Sequence, residues 1–582
     1  MSQAPSPARL RPGRRLLPLA IALALAVVVL AVECARTQRE ARAVAREIRA
    51  RVLHHRLALR APEAWEDRRT WSLVAGTYQR RGFRPLWSDG RRPGEQAEQL
   101  VRAIGAAALH GLEPEDYGLA ALSSSLQRHR RIARLVAGGD EKVLADLDVT
   151  MSYACALYAW HLLHGRVPLS TLDPDWSRTS DPEHLERRIA EAAKKRRVGE
   201  MLNDLLPREP GYARLLAALA RLREIEDRGG WPPLSRGGRL RPGSRGPRVA
   251  ELSARLAASA DLPAGAATLR ASYDSVLARA VLGFQARHGL DTTGGVDAVT
   301  RAALDVPVEE RIREVELNLE RRRWLPDDLG DPRVEVNVPD CSLAAIENGR
   351  PVLAMRVVVG RPESMTPIFS ARIGSAELDP AWTVPKSIVV GEIVPALGRD
   401  PHYLDRSHMR VLRVAGRDTF EADALDVPWQ DAADARFAYR VRQDPGPDNP
   451  LGRIKFVCPN EYDVYLHDTP ARSLFAAVGR DRSHGCIRLE RAAEFGDRLL
   501  QLARSDSTQT FEEMLAQGGI PRVRFRKPVP VHVLYWTAWV DEAGDFQFRP
   551  DIYGLDARLD AALRDRRTAR FVLNPPTEAA GP

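Results

Sequence analysis

The stretch Ser483-His-Gly-Cys486-Ile-Arg-Leu489 places a cysteine, a histidine, a glycine and an arginine within seven residues. A second stretch, Tyr465-Leu-His467-Asp-Thr469, holds another histidine sixteen residues before Ser483. A thiol nucleophile needs a base that takes its proton, and backbone N–H groups that stabilise the oxyanion formed by its attack. The two stretches together therefore predict a cysteine-dependent catalytic site.

The residues of this site can be given separate roles. Cys486 is the predicted nucleophile, and it requires an imidazole that lowers its pKa or accepts its proton. Alternation along residues 463–467 puts Tyr465 and His467 on one face of a strand, so we expect His467 to be that base. Gly485 permits a tight turn that exposes the thiol beside a free backbone N–H.

The neighbouring residues complete the prediction. We expect His484 to shape the turn and donate hydrogen bonds, and Arg488 to pair with a substrate carboxylate. Two other interpretations remain open. A metal site made of Cys458, His467, His484 and Cys486 would lack the Cys-x-x-Cys spacing of zinc sites. A buried cysteine with two hydrogen-bonded histidines would place many polar groups in a core.

Length and composition limit the class of protein. A chain of 582 residues is too long for one core and predicts three or four domains. The formal charge of +9 comes from arginines spread along the chain, and no nucleic-acid motif accompanies it, so we expect no nucleic-acid partner. The five cysteines are odd in number and widely separated, which argues against a disulfide framework.

The N-terminus carries basic residues before an apolar run of 17 residues from Leu16 to Val32. This pattern predicts a cytoplasmic N-terminus and a transmembrane or signal-anchor helix within residues 1–35, with the remainder of the chain outside. Residues 33–35 offer no small-x-small cleavage site, so an uncleaved, single-pass anchor in the inner membrane is favoured over cleavage.

The remaining pattern predicts a multidomain α+β chain. Apolar residues at helical spacing change to alternation of period 2 at Arg333, and Glu347-Asn-Gly-Arg350 is typical of a hairpin. The expected parts are a linker at 36–64, an α-helical scaffold at 65–240, a three-helix module at 244–305, a connector helix at 306–328, a β-rich catalytic domain at 332–505 with a capping insert at 386–442, and a C-terminal extension at 506–582.

The module at 244–305 resembles the peptidoglycan-binding-domain-1 family. The resemblance rests on the pair Phe284-Gln285, on His288-Gly-Leu290 and on the run from Gly294 to Thr300. The apolar positions of this module would be core in any three-helix bundle, so the glycines and the Phe-Gln pair carry the likeness.

The two opening stretches resemble the signature of the L,D-transpeptidases with a YkuD-type catalytic domain. Further similarity to the large, membrane-anchored YcbB-like branch lies in Pro445-Gly-Pro-Asp-Asn449, in Lys455-Phe456 and in the tail. The resemblance implies that Cys486 attacks a tetrapeptide stem of peptidoglycan and releases D-Ala through a thioester. The side-chain amine of a second stem, commonly diaminopimelate, then forms a 3→3 cross-link.

The resemblance also implies the surroundings of the reaction. His467 would be the general base, Ser483, His484 and Gly485 would build the site, Tyr465 and Arg488 would line it, and the insert would cap it. No cofactor and no metal are implied, and carbapenems would acylate Cys486. The expected location is the periplasm, and the expected partners are stem peptides, glycan strands, cell-wall synthases and D,D-carboxypeptidases.

Two alternatives to a cross-linking enzyme remain. A hydrolytic L,D-carboxypeptidase would use water as the acceptor, and the sequence does not separate it from a transpeptidase. A non-catalytic wall-binding scaffold would use residues 244–305 and the helical domain, but the intact pair of Cys486 and His467 argues against it.

Overall fold

The computed structural model of the chain describes residues 16–58, 65–135, 140–168, 182–262, 272–326 and 328–565. The predicted cytoplasmic segment before residue 16 lies outside them. The chain divides into two compact units, of which the first comprises Met1–Pro168, Arg178–Pro207 and Ala561–Pro582, and the second Leu169–Ser177 and Arg208–Asp560.

The described part of the first unit is helical. Its helices are α1 (Leu16–Ala58), α2 (Trp65–Arg80), α3 (Glu95–Gly105), α4 (Leu119–Leu135), α5 (Glu141–His164), α6 (Pro182–Lys195) and α7 (Val198–Asn203). Helix α5 is central, because most of its residues from Leu144 to Leu162 are buried. Its buried Asp148 accepts hydrogen bonds from the Tyr78 hydroxyl and from the backbone N–H groups of Leu86 and Trp87.

The predicted membrane span is not supported by the described helices. The apolar run from Leu16 to Val32 forms the start of α1, which continues without a break to Ala58. In the part of the chain that the structure describes, no helix is both long enough and apolar enough to cross a membrane.

The second unit begins with helices that lead to the catalytic domain. They are α8 (Pro210–Asp227), α9 (Pro247–Ala258), α10 (Ser275–Arg287), α11 (Ala298–Asp305) and α12 (Val308–Arg323). Helix α8 falls in this unit, although the sequence pattern assigned residues 65–240 to one scaffold. The reason is its ion pairing with α12, where Arg223 lies 2.9 Å from Glu316 and Glu209 pairs with Arg322.

Helices α9, α10 and α11 form the predicted three-helix module around a core that includes Leu252, Phe284 and Leu304. Gln285 explains why this module needs a glutamine after its phenylalanine. The buried Gln285 amide donates to the Gly295 carbonyl at 2.9 Å and accepts from the Gly294 N–H at 2.9 Å. It therefore fixes the glycine turn that leads into α11.

The rest of the second unit is rich in β-structure. Its strands are β1 (Arg333–Asn337), β2 (Ser342–Glu347), β3 (Arg350–Gly360), β4 (Phe369–Leu378), β5 (Trp382–Thr383), β6 (Met409–Ala415), β7 (Asp418–Ala422), β8 (Tyr439–Gln443), β9 (Ile454–Val457), β10 (Leu466–His467), β11 (Asp481–Ser483), β12 (Ile487–Leu489), β13 (Arg522–Leu534), β14 (Ala538–Val540) and β15 (Phe546–Phe548). The main sheet has the order β11-β3-β12-β10-β9-β4-β13-β1-β2, and a further β2–β3 pairing closes it.

The predicted hairpin joins β2 to β3, with Asn348 at φ +53° and Gly349 at φ +70°. Helices α16 (Ala492–Leu502) and α17 (Phe511–Gln517) lie between β12 and β13 in the chain, and α18 (Leu555–Arg564) is the last described helix. The apolar side chains of Phe456, Phe495 and Phe511 pack together in the core beneath β9.

The insert between β4 and β9 is a small subdomain of its own. It contains the sheet β5-β8-β6-β7 and the helices α13 (Lys386–Ile388), α14 (Val394–Arg399) and α15 (Tyr403–Arg406), with a π-helical turn at Val389–Ile393. Buried side chains of the insert form a cluster separate from the core of the main sheet, and they include Val389, Ile393, Val411 and Val441.

Candidate active site

The predicted base and the predicted carboxylate-binding residue are neighbours in the sheet. Strand β10 lies between β9 and β12, and in the register His467 pairs with Lys455 on one side and with Arg488 on the other. Paired residues of adjacent strands project to the same face of a sheet. The register therefore brings Lys455, His467 and Arg488 into one row.

The predicted nucleophile lies on the turn that connects β11 to β12. Gly485 has a backbone φ of +110°, a conformation that residues other than glycine rarely adopt. The Ser483 hydroxyl accepts from the Gly485 N–H at 3.1 Å and donates to the Cys486 carbonyl at 2.6 Å. Ser483 thus fixes the turn from within, and the Ile487 N–H donates to the Tyr465 carbonyl at 3.1 Å.

A second set of residues, which sequence reasoning missed, holds this turn through hydrogen bonds. The Thr366 hydroxyl donates to the Gly485 carbonyl at 2.8 Å and accepts from the Gly360 N–H at 2.8 Å. The Tyr553 hydroxyl in turn donates to the Gly360 carbonyl at 2.6 Å. Thr366 and Gly485 are 119 positions apart in the chain, and Tyr553 and Gly360 are 193 positions apart. No local sequence pattern could have revealed these two contacts.

Replacing Gly360 by alanine tests this support. The added Cβ would lie 2.1 Å from the Ser364 carbonyl oxygen and 2.7 Å from the Thr366 N, and backbone atoms cannot be displaced cheaply. We expect the free energy of unfolding to fall by about 2 kcal/mol, the usual size of an overpacking effect, as measured by urea denaturation. Gly374→Ala is the matched control, because its Cβ would meet no atom within 4 Å. Equal stability of the two variants would contradict the prediction.

The Cys486 thiol is surrounded by groups that act on its pKa in opposite directions. Burial raises the pKa above the ordinary value of a thiol, whereas hydrogen bonds from Tyr465 and the charges of Lys455 and Arg488 lower it. Within the described residues, the Cys486 N–H donates no hydrogen bond. A free N–H next to a nucleophile is suited to bind an oxyanion.

The His467 imidazole is buried and held in one orientation. Its Nδ1 lies 2.5 Å from the Asp468 carbonyl oxygen, which requires Nδ1 to carry the proton and leaves Nε2 as the basic nitrogen. The Asp468 carboxylate is itself held, by the Arg453 N–H at 2.9 Å and by Arg472 at 2.5 Å. Burial, with a further contribution from Arg488, lowers the pKa of His467 to about 3. The imidazole is therefore neutral and able to accept a proton.

The remaining predicted site residues lie around this centre. The Tyr465 ring centroid is 5.7 Å from that of His467. Burial and a hydrogen bond with Cys486 raise the pKa of Tyr465, so its hydroxyl stays protonated. Arg488 is partly buried, and its Nε has no hydrogen-bond partner among the described residues. An unpaired guanidinium beside the thiol is suited to bind a carboxylate.

His484 makes a contact that the sequence did not predict. Its Nε2 lies 2.5 Å from a carboxylate oxygen of Glu392, which belongs to the π-helical turn of the insert. Glu392 is also 3.7 Å from Arg361, just after β3. The insert therefore reaches the nucleophile turn through His484.

The metal interpretation finds no support in the described residues, which contain no group of three or more His, Cys, Asp or Glu side chains able to hold a metal ion. Cys458 is buried beside β10, and burial raises the pKa of its thiol to about 12. That thiol is therefore protonated at neutral pH and packs as an apolar side chain.

Three family models match the chain. One described as "L,D-transpeptidase catalytic domain", the YkuD family, matches residues 331–511. One described as "Scaffold domain" matches residues 72–219, and one described as "Putative peptidoglycan binding domain" matches residues 245–304.

Individual proteins agree with the family match. A Haemophilus influenzae protein named "Putative L,D-transpeptidase" is 32% identical over 250 residues, which cover 43% of this chain and 49% of the relative. The chain thus matches about half the length of that relative.

The solved structures that resemble the chain include two with low overall similarity. One is titled "Structure of the Ldtfm-avibactam carbamoyl enzyme" and has 13% identity, a TM-score of 0.17 and coverage of 40% of this chain and 64% of its own. The other is an L,D-transpeptidase from Xylanimonas cellulosilytica, with 15% identity, a TM-score of 0.15 and coverage of 52% and 100%. At these scores neither structure adds to the assignment. The family models carry it: the chain contains a YkuD-type L,D-transpeptidase catalytic domain, together with a scaffold domain and a peptidoglycan-binding domain.

Proposed function

We propose that the chain is a peptidoglycan L,D-transpeptidase in which Cys486 is the nucleophile and His467 is the general base. The observation that supports this most is the turn at Gly485. It holds a thiol with an unpaired N–H of its own next to a strand that carries a neutral, oriented imidazole. Nucleophile, base and oxyanion donor are the three parts that acyl transfer by a cysteine requires.

The first half of the reaction releases D-Ala. The Cys486 thiol gives its proton to Nε2 of His467 as the sulfur attacks the carbonyl carbon between the third stem residue and D-Ala. The Cys486 N–H stabilises the negative oxygen that forms. The C–N bond then breaks, the imidazolium returns its proton to the leaving amine of D-Ala, and a thioester remains.

The second half joins two stems. The side-chain amine of the third residue of another stem attacks the thioester carbonyl and loses a proton to His467. The C–S bond breaks, the sulfur leaves as thiolate and takes up that proton, and a 3→3 amide bond remains. Arg488 would bind a stem carboxylate through its guanidinium group, while Ser483 and His484 keep the turn in shape.

The other domains support a location at the cell wall. The peptidoglycan-binding module at 244–305 would hold the enzyme on glycan strands, and the substrate chemistry is that of the periplasm. We propose that cell-wall synthases and the D,D-carboxypeptidases that make tetrapeptides act beside it.

The products of the purified protein test this proposal. The protein is incubated with tetrapeptide-rich muropeptides, and the products are separated by chromatography and identified by mass. We expect 3→3 dimers and free D-Ala. Tripeptides without dimers would instead indicate an L,D-carboxypeptidase, and binding to sacculi without any new product would indicate a scaffold.

The insert at 386–442 is proposed as the cap of the site, because Glu392 connects it to His484. Replacing Glu392 by alanine removes this hydrogen bond and the ion pair, both half-exposed. We expect acylation by a carbapenem to slow by about threefold to tenfold, the range of a charge-assisted contact near the surface, and amide exchange in residues 386–399 to increase.

Glu421→Ala is the control for this experiment, because Glu421 lies on β7 of the same insert and pairs only at 3.5 Å with the exposed Arg410. We expect it to leave both measurements unchanged. Similar effects of the two substitutions would mean that the stability of the insert, and not its contact with His484, controls the rate.

A further inference from the structure

A row of charged residues crosses the face of the sheet that carries the site. The register pairs Arg522 of β13 with Glu377 of β4, Glu377 with Lys455 of β9, Lys455 with His467, and His467 with Arg488. Adjacent strands are about 4.8 Å apart. His467 therefore lies between two cations, each one strand away.

Lys455 is connected to the site by its contacts as well as by its position. Its Nζ lies 4.4 Å from the ring centroid of Tyr465, in a cation–π arrangement, and 3.5 Å from a carboxylate oxygen of Glu377. Its side chain is 24% exposed, so water screens its charge only in part. Tyr465 and Lys455 are both among the groups that lower the pKa of the Cys486 thiol.

The two cations differ in one respect. Lys455 has a carboxylate partner, Glu377, which is shared with Arg522. Arg488 has no ion pair among the described residues, and its burial depresses its pKa. A carboxylate two strands from the base can therefore adjust how much of the positive charge of Lys455 acts on the site.

We propose that Lys455 is a positioning residue for the thiol chemistry: it packs over the Tyr465 ring beside the site and supplies positive potential to the thiolate and the oxyanion, while Glu377 moderates that potential. This inference rests on the proposed function for its meaning, although its effect on the thiol can be measured separately. The same charge keeps His467 neutral, since a cation nearby disfavours the imidazolium.

The other groups around His467 do not replace this role. Tyr465 and Cys486 are protonated at neutral pH, because burial raises the pKa of both. The Asp468 carboxylate is engaged by Arg472 and by the Arg453 N–H. From the insert, Glu392 pairs with His484.

The experiment compares two alkylating agents of different charge at Cys486. Iodoacetamide is neutral and iodoacetate is an anion, and the extent of modification at Cys486 is read from its peptide by mass spectrometry between pH 7 and 9. The variants of the full chain are Lys455→Met, Lys455→Arg and Glu377→Gln. Glu335→Gln is the matched control, because it removes a strand carboxylate paired with Arg333 at 2.6 Å on the distant β1.

Lys455→Met and Glu377→Gln are expected to change the alkylation rate of Cys486 in opposite directions. Lys455→Met removes a positive charge, so the iodoacetamide rate should fall by about threefold, which corresponds to a thiol pKa about 0.5 units higher. The ratio of iodoacetate to iodoacetamide rates should fall as well. Glu377→Gln removes a negative charge, so the rate and the ratio should both rise, by about twofold. Lys455→Arg and Glu335→Gln should resemble the wild type.

The result that would overturn the inference is equally specific. A purely structural Lys455–Glu377 pair would make both substitutions change the two rates in the same direction and leave their ratio constant. If Lys455→Met fails to fold, Glu377→Gln alone still decides. A rise in its ratio of iodoacetate to iodoacetamide rates supports the inference, and an unchanged or lower ratio overturns it. Carbapenem acylation of the wild type is measured in parallel, so that failure of the proposed function, seen as no adduct, is distinct from failure of this inference.

Discussion

Cys486→Ala is expected to eliminate carbapenem adducts and new muropeptide products entirely. The thioester needs the sulfur, and no other described cysteine shares its surroundings. Burial raises the pKa of Cys155, Cys341 and Cys458 to about 12, and Cys34 lies on α1 in the first unit. Intact-mass measurement after incubation with meropenem checks the prediction, with one adduct expected on the wild type.

Cys458→Ala is the control for this measurement, because Cys458 is the cysteine nearest to Cys486 in the chain and directly follows β9. We expect it to retain the full adduct. An adduct that persists in Cys486→Ala would place the nucleophile elsewhere, and the absence of an adduct on the wild type would reject acylation of this site altogether.

His467→Ala is expected to have the second largest effect, a loss of about 100-fold to 10,000-fold in the acylation rate, the contribution of a general base. His484→Ala is the comparison, because His484 is nearer to Cys486 in the sequence but lies on the turn and contacts Glu392. Its loss should cost about tenfold at most. If the two effects were reversed, His484 would be the base. The rates are measured by stopped-flow absorbance of the carbapenem.

The pH dependence of the wild type follows from the same site. Burial is the main reason that the pKa of His467 is lowered to about 3. The imidazole is therefore unprotonated throughout the range from pH 5 to 8. The acylation rate should therefore not fall through protonation of this histidine as the pH drops from 7 to 5. A decline with a midpoint near 6.5, the ordinary value for histidine, would contradict the buried, flanked position of His467.

The turn at Gly485 was predictable from the sequence because its hydrogen bonds are local. Ser483, Gly485 and Cys486 interact within four residues, and the left-handed φ of Gly485 needs glycine. The hairpin at Asn348-Gly349 was predictable for the same reason. Three-helix packing in the module at 244–305 also followed from local periodicity, and the match to residues 245–304 agrees with it.

The residues that sequence reasoning missed act across the register or between distant loops. Lys455 becomes a neighbour of His467 only when β9 pairs with β10, and Thr366 supports Gly485 across 119 positions of sequence. Glu392 carries no signal of its own, since glutamate in a helix is ordinary. The predicted span at 16–32 is not supported among the described helices, where the apolar run forms the start of the longer α1.

The separate core of the insert has a consequence for substitutions within it. Substitutions at Val411 or Val441 change packing inside the insert, while the core beneath Cys486 keeps its own contacts. Under the proposed function, substitutions inside the insert are therefore expected to change the surroundings of Cys486 without changing the packing of the main sheet. Among insert residues, Glu392 is the exception, because its contact with His484 connects the insert to the turn that carries Cys486.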